Sequence, residues 1–261
     1  MSSESIELEF SRRSENTVLT SKVFTWPYVL TRTFPTDDRG RQLSVIIQTG
    51  SGAINGADRL SQRFKLAPNT SVRVTTQGAT SIYKAGSKAC AHESVRLSIG
   101  EGANLEYLPD ARIMFPDSAF SQSLHVVCAK DASALVLDSF TWFDPALKER
   151  RFREMSTSFS VELTDGRTVF SERNSVSTPF PYAMTNFRAF GSANLIFHSS
   201  LPLRELVAQI TKDLDGLPGC YGSASILPET VGLAVRIAAK ELRIVRSGFD
   251  IVAAAYRRTM S

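Results

Sequence analysis

Polar and apolar residues alternate with a period of two through most of the first 200 positions. The clearest runs are 43–49, 72–76, 95–99, 105–108, 124–128 and 135–140, all rich in β-branched and aromatic side chains. Successive side chains of a strand point to opposite faces, so this period predicts half-buried strands. Turn formers separate the runs, among them Pro68-Asn69, Gly100-Glu101-Gly102, Lys130-Asp131 and Asp165-Gly166, where positive φ and side-chain-to-backbone bonds are easily accommodated. No interval carries a convincing helical period, which argues against βαβ units and predicts a mainly β body.

A turn-then-strand unit recurs within that body. It reads Asn69-Thr70-Ser71-Val72-Arg73-Val74, then Gly102-Ala103-Asn104-Leu105-Glu106-Tyr107, then Asp131-Ala132-Ser133-Ala134-Leu135-Val136, at spacings of 33 and 29 residues. A coiled, solenoid-like sheet gives such a recurrence because every turn of the coil enters its strand the same way, and a sandwich-like sheet gives it by chance; both stay open.

After about residue 200 the period changes. Behind Pro202, the residues Leu203, Leu206, Val207, Ile210 and Leu214 share one helical face, and Gly216 supplies a stop. Pro228 then opens a second helical stretch in which Val231, Val235, Ala238, Leu242, Val245, Phe249, Val252 and Tyr256 recur at three- and four-residue steps, with Gly248 as a break between two helices. The expectation is a single domain over 1–261, with a β body over 1–200 and a C-terminal part over 201–261 carrying two or three α-helices packed on the sheet. Arg236, Lys240, Arg243 and Arg246 lie largely off the apolar stripe and read as a solvated face.

Composition adds limits. With 261 residues and 43% hydrophobic positions, the chain can bury about three quarters of its unfolded surface without staples. A net charge of +4 spread along the chain permits nucleic acid without indicating it, and no basic-aromatic motif is present. Cys90, Cys128 and Cys220 are odd in number and far apart, unlike a disulfide framework or a zinc site, which suits a reducing compartment. The N-terminus carries no secretory signal, and no apolar run approaches the roughly 18 residues of a bilayer span. A cytoplasmic protein with no membrane partner is expected.

Motifs that carry a mechanism by themselves are missing: there is no nucleotide-binding glycine fingerprint, P-loop, HExxH or nucleophile elbow. That weighs against an enzyme. His92, His125 and His198 are the three histidines, and His125, within an apolar strand, reads as a satisfied histidine rather than a general base. Cys90 and His92, two apart, would share a strand face as a soft ligand pair for nickel, copper or zinc, but a pair without a third ligand is usually incidental.

The specific signal lies in three segments: Gly50-Ser51-Gly52-Ala53-Ile54-Asn55-Gly56-Ala57-Asp58-Arg59-Leu60, Thr75-Thr76-Gln77-Gly78-Ala79-Thr80-Ser81-Ile82-Tyr83-Lys84 and Leu105-Glu106-Tyr107-Leu108-Pro109-Asp110. In this order and at these separations they resemble the urease accessory protein UreD family, also called UreH. The resemblance continues through Phe115, Ser118, Gln122, the stretch 134–138, Gly222-Ser223-Ala224-Ser225 and Gly232-Leu233-Ala234-Val235-Arg236, and covers about residues 20–258. Two departures mark a divergent, C-terminally shortened member. Asp144-Pro145-Ala146 and Lys148-Glu149-Arg150-Arg151-Phe152 replace the family's glycines while keeping a carboxylate at Glu149, and the Pro-Arg-x-Trp ending of many members is missing.

The resemblance implies a mainly β protein that is not a catalyst. It would act as a scaffold for nickel insertion between apo-urease and a UreF-like helical protein, which in turn recruits a nickel-carrying UreG-like GTPase. No cofactor would be tightly bound; nickel would pass in transit through an internal water-filled passage. The passage candidates carried over by motif are Asp58, Thr76, Gln77, Glu106, Asp138 and Glu149, with Tyr83 as a shaping neighbour. Poverty in Cys and His is compatible with that role, since a strong cage would hold the ion instead of releasing it. Each candidate also has a local reading: Asp58 caps a turn, Thr76 and Gln77 satisfy backbone, Glu106 faces solvent and Glu149 pairs with Arg150 or Arg153. Asp138, ending an apolar run, is expected to be partly buried. Two other functions fit the same residues: an all-β binding module without a metal role, and a hydrolase pairing Asp58 with Asp138 or Glu106.

Overall fold

A computed structural model describes residues 4–36, 40–84, 86, 89–178, 186–197 and 202–260. His198 lies outside the described residues. In chain order the strands begin with β1 (Glu4–Arg13), β2 (Asn16–Phe24), β3 (Tyr28–Val29), β4 (Thr33–Pro35), β5 (Gln42–Thr49), β6 (Ala53–Ile54), β7 (Arg59–Leu66), β8 (Ser71–Thr76), β9 (Thr80–Ile82) and β10 (Ala91–Ile99). They continue with β11 (Asn104–Leu108), β12 (Arg112–Met114), β13 (Ala119–Cys128), β14 (Ser133–Trp142), β15 (Glu154–Leu163), β16 (Thr168–Ser177) and β17 (Ala189–Ile196). Helix α1 (Leu203–Asp215) follows, then β18 (Cys220–Ile226), β19 (Gly232–Ala239) and helix α2 (Leu242–Thr259).

The strands form two sheets. One runs β16-β15-β13-β10-β7-β1-β2, and the spine of the other runs β18-β19-β17-β14-β11-β8-β5-β3, with β4, β6, β9 and β12 alongside. From β7 to β15 the chain passes back and forth between them, and each strand pairs in parallel with its equivalent one coil later: β7 with β10, β10 with β13, β8 with β11 and β11 with β14. The body is therefore solenoid-like. The repeat seen in the sequence is its rung: Asn104 N–H donates to Thr70 O at 2.8 Å and Ser133 N–H to Ala103 O at 3.0 Å. The Asn104 side chain bridges Ser71 and Ser133 on the neighbouring rungs.

Two cores result. Phe64, Leu97 and Val126 of the first sheet meet Val74, Leu105 and Val136 of the second between the sheets. On the outer face of the second sheet, Leu135, Leu195 and Val235 are covered by Ile210 and Leu214 of α1 and by Val245, Val252 and Tyr256 of α2. The second sheet is thus apolar on both faces there, which is why 134–137 reads as a continuous apolar run.

The same double burial corrects the helical stretch expected from Pro228. Residues 228–230 form a single 3-10 turn, and 232–239 is β19, a strand inside the sheet between β17 and β18. A strand buried on both faces carries apolar residues at odd and even positions alike, so it also satisfies a three-to-four spacing. Gly248 does not break α2, which runs uninterrupted to Thr259. An added Cβ there would come within 2.7 Å of Ile237 Cδ1, so this glycine lets the helix approach β19. The described C-terminal part therefore holds two helices and two strands. No helix among the described residues is long and apolar enough to cross a membrane.

Candidate functional site

Strand parity places a polar layer inside the inter-sheet core. On β7 the inward residues are Leu60, Gln62, Phe64 and Leu66; on β10 they are Ala91, Glu93, Val95, Leu97 and Ile99; Gln122 of β13 lies beside Glu93 in the parallel ladder. The second sheet contributes Tyr107 from β11, Arg112 from β12 and Asp138 from β14. These groups form one network. Gln62 Nε2 donates to Glu93 Oε1 at 2.7 Å, Gln122 Nε2 to Glu93 Oε2 at 3.2 Å and the Tyr107 hydroxyl to Gln62 Oε1 at 3.2 Å. Arg112 closes it, with Nη2 at 2.6 Å from Glu93 Oε2 and Nη1 at 2.6 Å from Asp138 Oδ1. Its guanidinium also lies over the Phe120 ring, 5.3 Å from the centroid.

The network is buried: the side chains of Arg112 and Glu93 are each 5% exposed and that of Asp138 21%. Charges can be kept away from water only when paired and hydrogen-bonded. Here one cation serves two carboxylates. Burial pushes the Asp138 carboxyl above its ordinary range, Arg112 pulls it back, and the neighbouring Glu93 adds to the rise.

A cavity of about 220 Å³ opens onto this layer. Thr76, Gln77 and Asp110 contribute to its wall, and Tyr28, Glu93 and Arg112 reach it from the core. Thr76 Oγ1 accepts from Asp110 N–H at 2.8 Å and donates to Gly78 O at 3.1 Å, tying the two turns together. The Tyr28 hydroxyl is buried and makes no hydrogen bond of normal geometry among the described residues, although the Gln62 side chain interacts with it. A second, more apolar cavity of about 350 Å³ lies between the sheets beside Phe140, Phe190 and Tyr221, with Asp138 on its border. Arg112 lines the first cavity and Asp138 the second, so their ion pair links the two linings.

Thr76, Gln77 and, through Arg112, Asp138 are thus brought to one interior region. The other candidates are placed elsewhere. Glu106 points to the opposite face of the second sheet, and contrary to the solvent-facing expectation it is 2% exposed, because α2 covers that face. It accepts from Arg257 Nη2 at 2.6 Å, Arg73 Nε at 2.9 Å and Gln42 Nε2 at 3.3 Å. Burial works against its charge, but the bonds from Arg257 and Arg73 outweigh that and hold the carboxyl below its ordinary range. Asp58 caps a turn, accepting Asn55 N–H at 2.8 Å. Glu149 is exposed and lies 3.8 Å from Arg188, while Arg150, the partner expected for it, is bound to Asp144. Tyr83 is 41% exposed and packs on Phe115. Asp58, Glu106 and Asp138 are thus each engaged by separate partners: the Asn55 amide, Arg257 with Arg73, and Arg112.

Among the described residues no group of three or more His, Cys, Asp and Glu side chains is arranged to hold a metal ion. His125 is satisfied, with Nδ1 2.8 Å from Ser160 Oγ and Nε2 3.2 Å from Glu162. Sequence reasoning missed Gln62, Glu93 and Arg112. The first two were signalled by polar side chains at inward positions of alternating strands.

The profile described as UreD urease accessory protein matches residues 2–261. The chain belongs to the UreD family. It is 45% identical over 256 residues to Urease accessory protein UreD 2 of Bradyrhizobium sp. strain BTAi1, an alignment covering 97% of this chain and 88% of that protein. Urease accessory protein UreD 2 of Bradyrhizobium sp. strain ORS 278 is 44% identical with the same coverage. At 26% identity, Urease accessory protein UreD 1 of Methylorubrum populi aligns over 94% of this chain and 84% of its own length. Membership of this accessory family assigns the chain a role in urease maturation, carried on the solenoid-like body and two C-terminal helices described above.

Proposed function

We propose that this UreD family member is a cytoplasmic maturation scaffold and not a catalyst. It joins apo-urease to a UreF-like protein, through which a UreG-like GTPase is recruited, and nickel passes through its interior toward the urease. The observation that carries nickel transit is the buried polar layer leading from the cavity wall at Thr76 and Gln77 to Glu93, Arg112 and Asp138. All of its potential ligands are oxygens or amides. Such donors hold an ion such as nickel weakly enough to exchange, whereas thiolates and imidazoles would retain it. Asp58, Glu106 and Glu149 serve the turn, the helix anchor and the surface loop in this reading.

The test is co-expression of the chain with UreF-like and UreG-like proteins, followed by addition of apo-urease, nickel and GTP. A stable complex that yields ureolysis is expected. The Asp138→Ala variant should still form the complex while ureolysis and urease nickel content both fall. Unchanged nickel content in that variant removes Asp138 from the path, and failure of the UreF-like protein to co-purify removes the scaffold reading.

A further inference from the structure

Arg112 occupies a position with the electrostatics of a divalent-cation site. Its two terminal nitrogens meet Glu93 Oε2 and Asp138 Oδ1, each at 2.6 Å. One guanidinium against two carboxylates leaves this trio a charge short of balance, in a region where unbalanced charge is costly; Arg236, the further cation acting on Asp138, is itself paired with Glu172. A doubly charged ion in place of the guanidinium would balance the two carboxylates. The remaining neighbours suit such an ion as well: Gln62 and Gln122 bring amide groups to Glu93, and both can offer a carbonyl oxygen.

A second observation points the same way. Tyr28 Oη lines the cavity with Glu93 and Arg112, is buried, and among the described residues makes no hydrogen bond of normal geometry, with the Gln62 side chain as its polar neighbour. A buried hydroxyl is almost always bonded to protein or water, so an orphan aimed into a polar cavity marks where a further ligand or its water belongs. The Arg112–Asp138 pair also links the linings of the two cavities.

We propose that Glu93 and Asp138 are the ligands of a divalent-cation site that Arg112 keeps filled and closed, the guanidinium standing in for the ion until it is displaced. This rests on the reading that nickel crosses the interior, and it adds the residue that decides when it does so. No cysteine or histidine is needed, and the site releases its ion when Arg112 returns.

The full-length chain, its Arg112→Met variant and the double variant Arg112→Met/Asp138→Asn would be titrated with cobalt(II), followed by its visible absorption, and with nickel(II) by calorimetry. Arg112→Met is expected to bind one ion on the order of tenfold or more tighter than wild type. Its melting temperature should rise with the ion as binding to the native state requires, and the double variant should lose both effects. No gain in Arg112→Met, or a gain that survives Asp138→Asn, overturns the proposal. If Arg112→Met does not fold, Arg112→Gln, whose amide still donates to one carboxylate, carries the same test with the same two outcomes. Urease activation separates this proposal from the transit reading. Unchanged metal affinity together with lost activation in Asp138→Ala discards the Arg112 stand-in and leaves nickel transit standing; metal gain in Arg112→Met with full activation by Asp138→Ala upholds the cation site and removes Asp138 from the nickel path.

Discussion

The Glu106 anchor gives the sharpest stability prediction. Its carboxylate ties the last turn of α2, through Arg257, to β8 and β5, through Arg73 and Gln42. In Glu106→Gln the shape is kept and the charge is lost, leaving two guanidiniums facing each other across a neutral amide. Removing one partner of a buried ion pair costs about 3–5 kcal/mol. Glu106 is 2% exposed, but Arg73 and Arg257 are 22% and 45% exposed and recover part of their hydration, so roughly 2–3 kcal/mol is expected. For a chain of this size that lowers the melting temperature by roughly 5–10 °C. The pH dependence has a definite sign. Because the folded carboxyl titrates below its ordinary value, the unfolded state binds the proton more readily; the contribution is complete above the unfolded value and is lost as pH falls through the folded one. Urea unfolding of both proteins, followed by circular dichroism at neutral pH and at about pH 3, should show a wide gap that narrows in acid. A gap below roughly 0.5 kcal/mol at neutral pH, within the range of an ordinary surface substitution, refutes the anchoring argument, as does a gap that widens in acid.

Two further expectations concern packing and surface. At Gly191 an added Cβ would sit 2.6 Å from Val245 Cγ1 and 2.7 Å from Phe249 Cζ, so Gly191→Ala should overpack the seam between β17 and α2 and cost about 1–3 kcal/mol in urea unfolding; a negligible loss would mean that the helix yields freely. Leu147 is 84% and Phe143 50% exposed, with Phe143 edge-on to Phe115 and Phe115 packed on Tyr83. Apolar surface of this kind limits solubility without a partner, so Phe143→Ser/Leu147→Ser should raise the monodisperse fraction of the free chain in size-exclusion chromatography, and no change would clear this patch.

The runs 95–99 and 124–128, in β10 and β13 of the first sheet, were legible because each of these strands has one face in the core, which imprints a period of two. β19 has apolar neighbours on both faces, its inward and outward positions became indistinguishable, and the helical period fitted by coincidence. The 33- and 29-residue recurrence was visible, but a coil differs from a sandwich in pairing one rung in parallel with the next, as β8 pairs with β11, and pairing between residues some 30 positions apart leaves no local trace. Glu106 fails in the same way: alternation with Leu105 and Tyr107 sends it outward, and only the arrival of α2, 151 residues later, turns that face into interior. Thr76, Gln77 and Asp138 came from resemblance. Glu93 and Gln62 needed none, since each breaks the apolar parity of its own strand, and a carboxylate at an inward position is too costly to stand alone. Arg112 sits on a strand of three residues, too short to define a parity. An inward Glu93 requires a cation from another part of the chain, but only the pairing of β12 with β14 shows that Arg112 supplies it and reaches Asp138 as well.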